Sequence, residues 1–193
     1  MLDLEPATAV LAGLVQRIPD DRLRAPTPCV DSSLGDLLDH IEGLSIAFAA
    51  AATKTPLPGG SQGPSADGSR LGADWRPRIA ERLQALAVAW RDPAAWAGVT
   101  QVGGQDLPAE VAGIVALNEV IVHGWDIAVA SGQSFNSEPT LIEAAYRFVR
   151  STATQNPHGT PGRFGPPVPV GQDAPPLHRL LGLTGRDPAW PAC

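Results

Sequence analysis

Apolar side chains recur in steps of three and four through the start of the chain, at Leu4, Ala7, Val10, Leu11, Leu14, Val15 and Ile18. That spacing predicts a helix over 4–18, with Pro6 tolerated in its first turn and Pro19 stopping it. Residues 19–32 read as a loop containing Pro26-Thr27-Pro28-Cys29. A second helix begins at Ser33 and carries the stripe Leu34, Leu37, Leu38, Ile41, Leu44 and Phe48. Ser33 with Asp36 three residues later resembles a capping box, although Glu or Gln is the usual partner. This helix fades near Thr53, ahead of Pro56.

Residues 55–73 are rich in Gly, Pro and Ser and read as a loop, long enough to edge a site. A third helix is predicted from Asp74 to Trp90, with Asp74 as N-cap and Pro77 in the first turn. Residues 91–105 read as a short hairpin or an irregular crossing, with Gly103-Gly104 marking a turn. The fourth helix has Asp106 as its expected cap, Pro108 in its first turn and Gly132 at its end. Between them lie about seven turns. A further helix spans roughly Thr140 to Thr154. The last 38 residues hold nine of the 20 prolines and read as a mostly irregular strap. No internal repeat is evident. The expected architecture is all-α: a helical bundle over 1–155, with a proline-rich strap over 156–193 packed on it.

Composition agrees with that reading. Of the 193 residues 44% are hydrophobic but only 5% aromatic, and Ala and Leu supply much of the apolar content, which favours helix over sheet. The net charge is -6, Lys54 is the single lysine, and the arginines are scattered. No basic stripe is available for phosphates, so neither nucleic acid nor an anionic membrane surface is an expected partner. Two cysteines, Cys29 and Cys193, make no disulfide framework or cysteine zinc site, which points to a reduced cytoplasm. The opening Leu2-Asp3-Leu4-Glu5 has no basic region with an apolar run behind it, so no signal peptide is expected. No membrane span is expected either, since polar residues interrupt the longest apolar stretches.

The candidate chemistry sits in the fourth helix. From Val111 to Ala130 it is apolar on nearly every face, yet Glu119, His123 and Asp126 interrupt it. At 3.6 residues per turn the three fall within about 60° of one another. A buried carboxylate costs several kcal/mol unless it is paired or metal-bound. Glu and His at i, i+4 can reach one point in space, which is how a helix offers two ligands to a metal. The plainer alternative is that they only hydrogen-bond each other. His40, beside Leu37 and Leu44 in the second helix, is the natural third ligand. Two His and one carboxylate leave coordination positions open for water or substrate. Asp126 reads either as support for a ligand or as a partner for backbone near Trp125. Asp36, four residues before His40, either orients that ring or caps the helix. Cys29 reads as a buried, inert thiol, since a nucleophile would need a lowered pKa. His158 and His178, in the proline-rich tail, read as structural or solvated, and Cys193 as exposed.

These residues also carry a family resemblance. Pro26-Thr27-Pro28-Cys29, followed by Leu34 through His40-Ile41, resembles a segment of the DinB-like metal-binding superfamily, and more narrowly the N-terminal domain of mycothiol-dependent maleylpyruvate isomerase. The run Glu119 through His123-Gly124-Trp125-Asp126-Ile127-Ala128, continuing to Gly132, is similar to that group's second motif. Phe164-Gly165-Pro166-Pro167-Val168 and Leu180 through Gly185-Arg186-Asp187-Pro188 resemble stand-alone actinobacterial members. The resemblance implies a DinB-like four-helix bundle. It also implies a divalent metal, often zinc, on positions matching His40, Glu119 and His123, and mycothiol or a related small thiol as cosubstrate. Two departures stand out. Asp31-Ser32-Ser33 occupies the place of the family's usual Trp, and nothing corresponds to the isomerase's C-terminal domain, so that particular reaction is not expected.

The expected function is therefore a metal-dependent thiol transferase or isomerase acting on a small electrophile. Zinc leads, and nickel and iron suit the same ligands. Two rivals stay open: a metal-independent scaffold that binds a small molecule, and a biosynthetic isomerase or cyclase using Glu119 and His123 as an acid–base pair. A homodimer is compatible with the sequence.

Overall fold

The computed structural model describes residues 1–57, 66–155, 158–159 and 164–191. Cys193 and the 58–65 part of the long loop lie outside the described residues. Six α-helices and a two-stranded hairpin are present among them. They are α1 (Glu5–Gln16), α2 (Leu34–Thr53), α3 (Trp75–Ala89), β1 (Val99–Val102), β2 (Gln105–Pro108), α4 (Ala109–Ala130), α5 (Pro139–Gln155) and α6 (Pro176–Leu183).

The first four helices form a bundle in which neighbours run α1–α3–α2–α4 around the ring; α5 packs on α4, and α6 on α5. Each apolar stripe read from the sequence turns inward. Leu11, Leu14, Leu37, Ile41, Leu83, Leu117 and Ile121 are all at most 1% exposed. α4 is apolar all round because it is flanked by α1, α2 and α5 together. It is long and apolar enough to cross a membrane by length and composition, but 78% of that stretch is buried inside the fold.

Ser33 caps α2 in full. Its hydroxyl accepts from Asp36 N–H, and the Asp36 carboxylate accepts from Ser33 N–H. Asp74 stands at the N-cap of α3 but makes no capping bond; its carboxylate accepts from Arg78 instead. Gly103 and Gly104, both at positive φ (58° and 78°), make the tight turn of the β1–β2 hairpin, as a type I′ turn requires.

Two expectations need correction. Asp106 does not cap α4: the hairpin continues through Pro108, so Asp106 pairs across the strands with Gln101 and Pro108 itself is the N-cap. The proline-rich tail is also less irregular than its composition implies. Pro175-Pro176 starts α6, because proline's fixed φ suits a first turn, and Leu177, Leu180 and Leu181 turn inward.

Candidate metal centre

The α2–α4 contact brings His40 opposite Glu119 and His123. One ligand atom from each of the three lies within 4.8 Å of the others. His123 Nε2 is 3.1 Å from Glu119 Oε2, and the His40 and His123 rings meet edge to face at 5.3 Å. Metal–ligand bonds of about 2.0–2.2 Å in a tetrahedron put ligand atoms roughly 3.4 Å apart. The Glu119–His123 spacing of 3.1 Å is close to that value, and no donor of the three is more than 4.8 Å from another, so the set is within reach of a single ion. They sit in the wall of a cleft of about 1010 Å³. Imidazole and carboxylate donors in an open, three-ligand arrangement fit a divalent ion such as zinc.

A second layer holds the first. His123 Nδ1 is 3.0 Å from Asp126 Oδ2, and Asp126 is wholly buried. A carboxylate there accepts the Nδ1 proton and leaves Nε2 facing Glu119 and His40. Asp126 in turn receives two bonds from Arg186, Nη2 to Oδ2 at 2.9 Å and Nε to Oδ1 at 3.3 Å. The charges are strongly coupled. Burial alone would drive His123 toward the neutral form, but bonds to Asp126 and Glu119 outweigh it and raise its pKa from 6.5 to about 9. Burial pushes the Glu119 and Asp126 carboxyls up, yet both end below their ordinary range, because each is bonded to His123 and faces nearby positive charge. Without metal, the site is an imidazolium between two carboxylates.

Asp36, the other residue expected behind the ligands, spends its oxygens elsewhere. Oδ2 accepts from Ser33 N–H and Oγ–H, and Oδ1 from Gly68 N–H at 2.7 Å. Its contribution to the site is to fix the first turn of α2, one turn before His40. The lowered Asp36 pKa has the same cause, with the Ser33 side chain first and the Gly68 backbone second.

Two residues of the site were not read as such from the sequence. Cys29 reaches the site: its sulfur lies within 4.8 Å of donor atoms of His123 and Asp126, and it lines the cleft. The loop carrying it is pinned by Thr27, whose hydroxyl donates to Ser32 O and accepts from Cys29 N–H. Burial raises the thiol pKa, but the residue is half-buried on the cleft wall and not sealed in the core as the sequence suggested. Ser32, in the segment that replaces the expected Trp, also lines the cleft. Arg186 is the second addition; 60 residues separate it from Asp126, and no local periodicity announces that contact.

Comparison with known proteins shows the family and the fold. Residues 4–128 match the family described as the mycothiol maleylpyruvate isomerase N-terminal domain, and the chain belongs to that family. Two uncharacterised proteins of Mycobacterium tuberculosis, from strains CDC 1551 / Oshkosh and H37Rv, are each 28% identical over 185 residues, covering 93% of either chain. The crystal structure of the mycothiol-dependent maleylpyruvate isomerase superposes with a TM-score of 0.62 at 19% identity, covering 80% of this chain and 68% of that one. A histidine-to-alanine mutant of that enzyme gives 0.61 at 18% identity, with the same coverage. At such identities the likeness establishes the shared DinB-like fold.

Proposed function

We propose that this member of the family is a metal-dependent enzyme of the mycothiol-related transferase or isomerase type, with His40, Glu119 and His123 holding one divalent ion, zinc first among the candidates. The observation that carries the reading is the convergence of two imidazoles and one carboxylate at the wall of a large cleft, with the spare nitrogen of His123 already taken by a buried carboxylate. When bound, the ion supplies Lewis acidity that lowers the pKa of a thiol or water and polarises an electrophile. The protein's own residues set the rest. Asp126 keeps the His123 proton on Nδ1, so that Nε2 is the donor. Glu119 serves as a ligand and not as a free base. The cleft, with Leu37, Leu44, Phe48 and Phe148 in its lining, gives a small electrophile an apolar surface to rest on beside those donors.

The test is metal content followed by thiol-dependent activity. Metal-replete protein is offered mycothiol, or a related small thiol, with a panel of small electrophiles. The reading predicts conversion that disappears with chelator and in His123→Ala. Metal-replete protein with no thiol-dependent turnover on any electrophile would count against it.

One observation favours a second reading. The 3.1 Å Glu119–His123 pair, with His123 protonated at neutral pH, is also an acid–base couple open to the cleft. In that case turnover persists in metal-free protein with a bell-shaped pH profile, whereas activity that follows metal occupancy removes it.

A further inference from the structure

Arg186 lies outside the stretch 4–128 that defines the family match, yet its side chain reaches the polar centre of the bundle. It is 7% exposed, and its placement is built by the backbone. α6 ends in two nested bonds, Gly185 N–H to Gly182 O at 3.2 Å and Arg186 N–H to Leu181 O at 2.9 Å. That pattern is a Schellman motif, which needs a left-handed residue at Gly185, and φ there is +84°. A Cβ on Gly185 would also stand 2.9 Å from Gly165 Cα, so two backbone strands of the tail close on each other at this point. Arg186 is thereby delivered with Nη1 donating to Thr184 O at 2.9 Å and its other two nitrogens forked onto the two oxygens of Asp126.

Asp126 Oδ2 therefore carries two donors, Arg186 Nη2 and His123 Nδ1. We infer that Arg186 is a positioning residue of the metal centre: acting through Asp126, it holds His123 with Nε2 aimed at the ion, so that the C-terminal segment completes a site whose ligands all lie on α2 and α4. This rests on the metal reading above. A buried carboxylate with one donor can swing about its Cβ–Cγ bond, whereas one gripped at both oxygens cannot. The forked cation also offsets Asp126's charge, so the carboxylate is stable in the core before any ion is bound.

Zinc affinity, read by competition with a chromophoric chelator, tests the inference without an activity assay. The proteins are wild type, Arg186→Met, Arg186→Lys, Asp126→Asn and the Asp126→Asn/Arg186→Met double variant, each checked by circular dichroism. Loss of support behind a ligating histidine typically weakens binding about 10–100-fold. Arg186→Met is expected to fall in that range, Arg186→Lys to recover part of the loss, and the double variant to lose no further affinity than Asp126→Asn, since Arg186 then has no carboxylate left to grip at both oxygens. Arg186→Met binding zinc as wild type does, or losing affinity equally with and without Asp126, would overturn the inference. If Arg186→Met alone does not fold, the comparison of Asp126→Asn with the double variant, in which no buried charge is left unpaired, decides it: a further tenfold loss in the double variant overturns it. Wild-type protein that binds no zinc would instead defeat the metal reading itself.

Discussion

The cleft has two walls built on different physics. The helical wall, α2 and α4, presents His40, Glu119 and His123 from regular turns whose adjoining apolar side chains, such as Leu37, Ile41, Ile121 and Ile127, are sealed in the core. The loop wall, residues 28–32, 164–165 and the turn 184–186 that ends α6, presents Cys29 and Arg186 from non-helical backbone fixed by individual bonds: Thr27 to its own loop, Gly185 in the left-handed region, Val168 N–H to Gly182 O. The helical wall gains precision from packing, where many small contacts share the load. The loop wall depends on a few contacts, each of which can be removed singly. The walls join at Asp126–Arg186, a buried ion pair that binds α4 to the tail. The support behind His123 is thus concentrated at one identifiable point.

Removing that joint should have the largest effect. Asp126→Ala leaves Arg186 as an uncompensated buried charge and should destabilise the metal-free protein by about 3–5 kcal/mol in chemical denaturation. The charge state of the helical wall can be altered without mutation. His123 has a folded pKa of about 9 against 6.5 unfolded, so its contribution is complete below pH 6.5 and is lost as pH rises through about 9. Metal-free protein should therefore lose several degrees of Tm between pH 6.5 and 9.5. Zinc-loaded protein, whose His123 is already neutral, should not show this loss.

Smaller changes address each wall alone. Gly185→Ala imposes left-handed strain and a 2.9 Å contact with Gly165 on the loop wall only, and should cost about 1–3 kcal/mol. It should weaken zinc binding as well, because it displaces Arg186; unchanged zinc affinity would show the walls to be independent. Ser33→Ala removes the hydroxyl of the α2 capping box and should cost about 1 kcal/mol with little effect on zinc.

The same contrast explains what could be read from the sequence. Glu119, His123 and Asp126 were legible because a helix maps spacing onto a face, and charged groups on an all-apolar helix need a reason to be there. His40 followed from its place on the α2 stripe, and Gly103-Gly104 announced its turn. The Ser33–Asp36 box was legible too, though it took Asp36 away from any direct bonding role behind His40 that the sequence had left open. Asp106 misled because a capping residue and a strand residue look alike where Pro108 follows two positions later. Arg186 and Cys29 were hidden because loop-borne contacts across long separations leave no periodic trace. The leucines at 177, 180 and 181 behind a proline pair were a helical signal in the tail, outweighed by its proline count.

The central claim is tested most directly by elemental analysis of untagged protein after incubation with zinc, nickel or iron, for wild type and for His40→Ala, Glu119→Ala and His123→Ala. Three convergent donors predict about one divalent ion per wild-type chain and its loss in each variant. A wild-type chain that stays empty under all three metals, or variants that hold as much metal as wild type, would contradict the account.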